Sequence, residues 1–263
     1  MNMEHMILFE DKDIIVCHKP AGLPVQSAQV GRQDMMSMLM NYLSEGQQGM
    51  PYLGLVHRLD QPVEGIIVFA KNKKAAADLS RQVTDGSMEK VYLAVCCEME
   101  DADENEKSSG EGKEPATTER GEKKTVHHLT DYLKKDARTN TSSIVPQNTP
   151  GAKKSELDYQ ILGKFEENGR RYTLVQIHLL TGRHHQIRVQ MAGHQMPLYG
   201  DRKYHAEWEN CRLASCEQGD STQLALCAAS LSFVHPSGKK KRMNFQVTPS
   251  AGVFQLKFSH AGE

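Results

Sequence analysis

The sequence predicts a mixed α/β fold, and three observations carry the prediction. The first hundred residues read in the order strand, loop, strand, helix, strand. Residues 66–70 form a continuous apolar run, the signature of a strand buried on both faces. Residues 172–180 alternate, with Leu174, Gln176 and His178 on one face and Val175, Ile177 and Leu179 on the other, so that strand meets two different environments.

Taken in order, residues 14–17 form a short apolar strand after a charged turn, and Lys19-Pro20-Ala21-Gly22 ends it in a tight loop. Residues 35–43 carry apolar side chains at helical spacing behind Asp34, a candidate N-cap, and the methionine-rich stripe is read as core. Strand 66–70 follows, then a helix over 73–83 and an alternating strand over 90–97. Residues 129–133 and 155–162 are strand-like pieces around a polar linker with Asn140, Pro146, Asn148, Pro150 and Gly151. After strand 172–180, Thr181-Gly182 is placed to open a helix. Residues 226–247 read as two strands joined at Pro236-Ser237-Gly238, a hairpin with a basic tip.

With 263 residues, one large domain, or one plus an insertion, is expected over residues 1–263. The longest strongly apolar run is six residues, 65–70, far short of the roughly 20 that a transmembrane helix needs. No basic, cleavable leader is visible beside Glu4, Glu10 and Asp11, so a soluble cytoplasmic protein is expected. Six cysteines, two of them adjacent (Cys96, Cys97), make no disulfide framework. Cys211 and Cys216, with His205 and Cys227 nearby, lack a second matching pair, and no metal site is expected.

The formal net charge is −1, but it is segregated. Residues 98–124 hold ten acidic and five basic residues among Glu, Lys, Ser and Gly, an acidic insertion unable to build a core. The remainder is net +4, which permits an acidic partner such as RNA without requiring one.

Three constellations could carry chemistry. In the first, His57-Arg58-Leu59-Asp60, Pro62 keeps Asp60 out of a helix and on a loop that leads into strand 66–70. Spacing alone also permits a surface ion pair of Asp60 with Arg58. The second spans 179–201. A helix opening at Thr181 sets His184 with Arg188, and Gln186 with Gln190, on shared faces. Arg183, His185, Gln186 and Arg188 then make an array of donors suited to phosphates and base edges, or simply a solvated polar face. Neighbouring His184 and His185 make no metal signature. In the third, Lys90-Val91-Tyr92 places a tyrosine at the start of an apolar strand, where it could as well fill a core edge.

Together these motifs resemble the RluA branch of the pseudouridine synthases. The resemblance rests on KPAG at 19–22, HRLD at 57–60 with Gly65 and Ala70-Lys71 downstream, KVYLAV at 90–95, TGRxHQIR at 181–188 with Gly200-Asp201, and the His-Pro hairpin near the C-terminus. It implies an α+β fold, a mixed, mainly antiparallel central sheet with flanking helices and a catalytic cleft across it. It also implies isomerisation of uridine to pseudouridine in an RNA loop or bulge, ribosomal or transfer, with no cofactor, no metal and no obligate protein partner. By resemblance Asp60 is the catalytic aspartate. Tyr92 packs on the uracil and helps remove its proton, and Arg188 pairs with Asp60 and keeps it ionised. Arg58 fills the gap left by the flipped nucleotide, and His57, Arg183, His185 and Gln186 hold substrate. Glu64 stands where the family has a small Ser, and would repel phosphates if it pointed into the cleft. His184 stands where the family has Thr. The chain starts almost at the catalytic domain, with no room for an S4 domain, so substrate selection is expected of the catalytic domain alone; with no interface pattern visible, a monomer is expected. The rivals are an RNA-binding protein that keeps the fold without activity, and a hydrolase or nuclease using the histidines.

Overall fold

The computed structural model describes residues 3–29, 31–45, 49–97, 125–167, 170–206, 223–238, 241–256 and 259–260. The acidic insertion at 98–124, Cys211, Cys216 and the lysines of the hairpin tip, Lys239 and Lys240, lie outside them.

The chain begins with an antiparallel pair, β1 (Ile7–Glu10) and β2 (Ile14–Lys19). Helix α1 (Met35–Ser44) follows, opened by a capping box in which Asp34 accepts from Ser37 N–H at 2.7 Å. Next come β3 (Gly54–Leu55), β4 (Glu64–Ala70), α2 (Lys73–Thr84) and β5 (Glu89–Cys97). Beyond the insertion run β6 (His127–Asp136), β7 (Thr141–Ile144), β8 (Lys153–Glu167), β9 (Arg170–Leu179) and α3 (Gln186–Gly193). The described chain closes with β10 (Leu226–Val234), β11 (Arg242–Gln246) and β12 (Ser259–His260).

All twelve strands join one sheet with the main order β1-β2-β4-β10-β5-β9-β8-β6-β7. Among the described residues, only β4 and β10 pair in parallel. The fold is therefore α+β with a mixed, mainly antiparallel sheet, as the resemblance implies. Strand alternation sends Ile15, Cys17, Ile67 and Phe69 into the core beneath α1 and α3. Ile14, Val16, Ile66 and Val68 go to the opposite core, against Ala75 and Leu79 of α2. Covered on both faces, β4 is buried throughout. At its start Gly65 has φ +127°, and a Cβ there would lie 2.5 Å from Ala228 backbone atoms on β10. Only glycine fits this contact.

Two sequence expectations change. The polar linker at 134–152 contains β7, an edge strand of only four residues paired to β6. Its Thr-Ser-Ser-Ile sequence gives no apolar alternation to read. Helix α3 starts at Gln186 rather than at Thr181, because Thr181 Oγ1 and Arg183 N–H both donate to Gln186 Oε1 (2.8 and 2.9 Å) and fold 181–185 into a turn. His185 then takes a left-handed conformation, φ 54° and ψ 26°, that no α-helix can contain. His184 and Arg188 therefore do not share a helix face, whereas Gln186 and Gln190 do and hydrogen-bond at 2.9 Å.

At the end of the sheet remote from Asp60, Asp11, Asp13 and His235 bring ligand-type atoms within 4.8 Å of one another. His235 Nε2 lies 2.9 Å from Asp11 Oδ2, while Asp11 Oδ1 accepts from Asp13 and Ile14 N–H. The group clasps the β10–β11 hairpin to the β1–β2 turn. No helix among the described residues is long and apolar enough to cross a membrane.

Candidate active site

The parallel β4–β10 pair and the antiparallel β5 and β9 bring three chain segments to one face of the sheet. They are the loop before β4, the start of β5 and the loop leaving β9. A cavity of about 610 Å³ opens between them. All eight residues expected at the site line it: His57, Arg58, Asp60, Tyr92, Arg183, His185, Gln186 and Arg188. They do not all face it in the same way.

Asp60 sits on a turn closed by Val63 N–H donating to its own carbonyl at 3.1 Å. That turn is clamped from below by Lys19, whose side chain is fully buried and donates to the carbonyls of Pro20 (3.0 Å), Leu23 (2.7 Å) and Gln61 (3.1 Å). Gly22 N–H adds a bond to Gln61 O at 2.9 Å, and Gln61 Nε2 returns one to Gly22 O at 3.0 Å. The KPAG and HRLD motifs thus form one clamped pair of loops. Burial pulls the Lys19 ammonium down to about 8, against the stabilising charges of Asp60 and Glu64.

The Asp60 carboxylate is 28 % exposed. Its Oδ2 lies 3.6 Å from Arg188 Nη1 and 3.7 Å from His185 Nε2. No ion pair with Arg58 forms; that guanidinium is exposed and donates to Gln26 Oε1 at 3.2 Å. Burial raises the Asp60 pKa; the charge and hydrogen bonding of Arg188 oppose it, the Asp201 carboxylate adds to it and Lys19 opposes it. The net direction is upward because burial outweighs Arg188, which itself favours the ionised form. Geometry limits its hold on Asp60. Arg188 gives its two-pronged contact to Asp201, with Nε and Nη2 each 2.7 Å from a carboxylate oxygen. Only Nη1 remains for Asp60.

Asp201 is fully buried and also accepts from the backbone N–H of Lys203 at 2.9 Å. Gly200 before it has φ +76°, and a Cβ there would sit 2.3 Å from Gln223 O. Tyr204 completes the group, its ring centroid 5.1 Å from the Arg188 guanidinium carbon. Its hydroxyl accepts from Ser142 N–H (2.9 Å) and donates to His185 Nδ1 (2.6 Å), which leaves the imidazole proton on Nε2, facing Asp60. His185 stays neutral, pushed down to about 3 by burial and by the charges of Arg188, His184 and Lys203. Its approach to Asp60 is a polar contact, not an ion pair.

Tyr92 is buried and lines the cavity from β5. Burial, then the Asp60 charge, pushes its phenol well above the ordinary range, so it presents a ring and a protonated hydroxyl. A role as proton acceptor does not follow from this environment. His57 uses Nε2 to accept Val68 N–H at 3.2 Å and is driven by burial to about 3. Gln186 is turned inward: its Nε2 donates to Glu156 O (3.0 Å) and Gln190 Oε1, and its Oε1 is taken by Thr181 and Arg183. It braces the loop and has no donor left for a ligand. Arg183 is exposed, with Nε on Lys154 O at 2.9 Å. Glu64 points away from the cleft, buried and bonded by Ser250 N–H at 2.9 Å, so the feared repulsion does not arise.

Sequence reasoning missed Asp201 as a partner, although Gly200-Asp201 was part of the resemblance, and it missed Lys90, whose KxY motif is visible. Tyr204 and the loop-clamping role of Lys19 had no signal beyond their neighbours. The cavity lining contains Arg58, Lys90, Arg183 and Arg188 against one carboxylate, Asp60.

A family model for RNA pseudouridylate synthase matches residues 13–193. The ribosomal large subunit pseudouridine synthase C of Vibrio cholerae serotype O1 is 32 % identical over 244 residues, which are 91 % of this chain and 64 % of that protein. The tRNA pseudouridine synthase C of Haemophilus ducreyi is 28 % identical over 239 residues, 91 % of this chain and 89 % of that one. This chain thus spans less than two thirds of the length of its Vibrio relative. In fold it superposes on human RNA Pseudouridylate Synthase Domain Containing 4 with a TM-score of 0.68, at 21 % identity over 97 % of this chain and 92 % of that one. The matched segment includes the clamped loops, Asp60, Tyr92 and Arg188, and on that match the chain belongs to the RNA pseudouridylate synthase family.

Proposed function

We propose that this protein converts specific uridines of a structured RNA to pseudouridine, with Asp60 as the catalytic carboxylate. One observation carries the reading: a single carboxylate, raised by burial, sits in a cation-lined cleft beside a buried tyrosine. The reaction breaks the bond from ribose C1′ to uracil N1, turns the base, and joins C1′ to C5; the C5 proton leaves and N1 gains one. Asp60 supplies the ionised oxygen that attacks the sugar or takes a proton during the rearrangement. Tyr92 packs against the uracil. Arg188, held by Asp201, and the Nε2–H of His185 stabilise the carboxylate from one side.

A stacked nucleotide cannot bring its glycosidic bond to a carboxylate in a cleft, so the target uridine flips out of the RNA, at least cost from a loop or bulge. Arg58, exposed at the rim, enters the vacated stack, and Arg183 contacts the backbone. Gln186 and His57 act by bracing the cleft wall. The names of the Vibrio and Haemophilus relatives, a ribosomal large subunit and a tRNA pseudouridine synthase, support ribosomal or transfer RNA as the substrate class. The enzyme works as a cytoplasmic monomer without a cofactor.

The test is chemical mapping of pseudouridine across total RNA from cells with and without the gene, restored with the intact protein or with Asp60→Asn. Loss of one or a few sites, regained only with the intact protein, is the expected result. No change at any site, or restoration by Asp60→Asn, overturns the proposal.

A further inference from the structure

A second cavity, of about 260 Å³, adjoins the first. Lys135 of β6, Ser142 of β7 and Lys153 of β8 line it, and Gly182, Arg183 and His184 line both cavities. One loop therefore forms a wall of each. No carboxylate lines the second cavity. The nearby acids are committed elsewhere: Glu156 binds Lys154 at 2.7 Å, and Asp136 accepts from Arg138 N–H at 2.9 Å in its own turn. Lys135 and Lys153 are exposed and make no ion pair among the described residues.

Arg183 and His184 are held in place by hydrogen bonds. Arg183 Nε is fixed on Lys154 O, which aims the rest of the guanidinium. His184 stacks on His185 at 3.7 Å between centroids, with Nδ1 on Ser142 Oγ (2.9 Å) and Nε2 on Asn140 Oδ1 (3.1 Å). Burial, then the charges of Lys135, Lys203 and Arg188, hold that imidazole down at about 4, so it stays neutral. On the first cavity's side of Gly182 stands the Lys90 ammonium, 3.8 Å from where a Cβ would be. Burial lowers its pKa, and Asp60 is the one carboxylate in that cavity's lining.

Like charges gathered without counter-ions repel, and they are stabilised together when an anion binds among them. Phosphodiesters are the anions that an RNA brings, and they are spaced along a chain leading away from the flipped base. We propose that the second cavity is a backbone subsite, in which Lys135, Lys153 and Arg183 hold a phosphodiester flanking the target uridine. The proposal rests on the reading of the first cavity as the uridine site, and it deepens that reading by giving the RNA a direction of exit, from Asp60 past Gly182 towards β8.

The test is binding of a 5′-fluorescein-labelled RNA hairpin with a uridine-containing loop, followed by anisotropy from 50 to 300 mM KCl. Lys135→Ala with Lys153→Ala removes two phosphate contacts from exposed positions, and Lys73→Ala with Lys74→Ala on α2 is the control. One phosphodiester left without its cations reduces the slope of log affinity against log salt by about 0.7–0.9, so the double variant is expected to be shallower by about that much and roughly five- to eightfold weaker at 0.1 M. KM for a substrate RNA rises with it while kcat is kept. An unchanged slope, or an equal change in the α2 control, overturns the subsite. A wild-type protein that isomerises RNA while the double variant keeps its slope removes the subsite alone. A wild-type protein that binds without isomerising, with the slope change present, removes the proposed activity and leaves the subsite.

Discussion

Replacing Asp201 with asparagine separates the two carboxylates that share Arg188. In the native protein the Arg188 and Asp201 side chains are 5 % and 0 % exposed, and they are joined by two hydrogen bonds of 2.7 Å. Removing one partner of a buried pair leaves the other charge uncompensated, at a cost of about 3–5 kcal/mol. Asparagine keeps the shape and one acceptor, so the loss is expected near the lower figure. For a chain of this size about 3 kcal/mol lowers the Tm by roughly 6–12 °C. The same change acts on Asp60 in the opposite sense. It deletes the Asp201 charge that raises the Asp60 pKa and frees the guanidinium, 3.6 Å away, to serve Asp60 alone. The Asp60 pKa falls. Urea melts at pH 7 give the stability, and ¹³C-carboxyl NMR, assigned with Asp60→Asn, follows the titration. A stability loss under about 1 kcal/mol, or an Asp60 titration that stays or moves up, refutes the shared-arginine argument.

Three further outcomes follow from the same geometry. The acidic limb of the kcat/KM profile is expected above the ordinary carboxylate value of 3.8, because the proposed active form is the ionised Asp60 and its pKa is raised; activity is lost as pH falls through that limb, and a midpoint at or below 3.8 contradicts the burial argument. The raised carboxylate also opposes folding once ionised, so Asp60→Asn is expected to be as stable as the native protein or more stable at pH 7 while inactive, which thermal melts beside a pseudouridine assay would read. Lys19→Met takes the side-chain donor from the carbonyls of Pro20 and Leu23 and leaves Gln61 O with Gly22 N–H alone, at a cost of about 1–3 kcal/mol for a buried acceptor left unpaired. Turnover should fall in parallel as the Asp60 loop loosens, and an unchanged kcat would show that the clamp does not position the site.

Much of this was legible from local pattern. The doubly buried β4, the capped α1 behind Asp34 and the two-faced β9 follow from apolar periodicity, because burial on a sheet writes itself into alternate residues. That eight named residues would line one cleft was legible because their motifs are contiguous, and the parallel β4–β10 contact brings those motifs together. What was not legible depends on contacts distant in sequence. Nothing in TGRxHQIR says that Gln186 turns inward to Glu156, thirty residues earlier, or that the turn at His185 delays α3. The edge strand β7 was hidden because its four residues alternate nothing apolar; what holds it is a ladder to β6 and the bond from Ser142 N–H to Tyr204.

Asp201 changes how the cleft is understood. A guanidinium that gripped Asp60 with both prongs would occupy the carboxylate oxygens that the proposed chemistry uses and would lower their basicity. With Asp201 taking that grip, Arg188 is fixed in place and offers Asp60 one nitrogen at 3.6 Å, beyond a strong hydrogen bond. His185 does likewise, anchored through Nδ1 on Tyr204 and offering its Nε2–H at 3.7 Å. Both neighbours are held by partners other than Asp60. The positive field at the carboxylate is therefore prepaid by structure that does not consume the carboxylate, and Asp60 keeps an accessible, basic oxygen towards the side on which Tyr92 would hold a uracil ring.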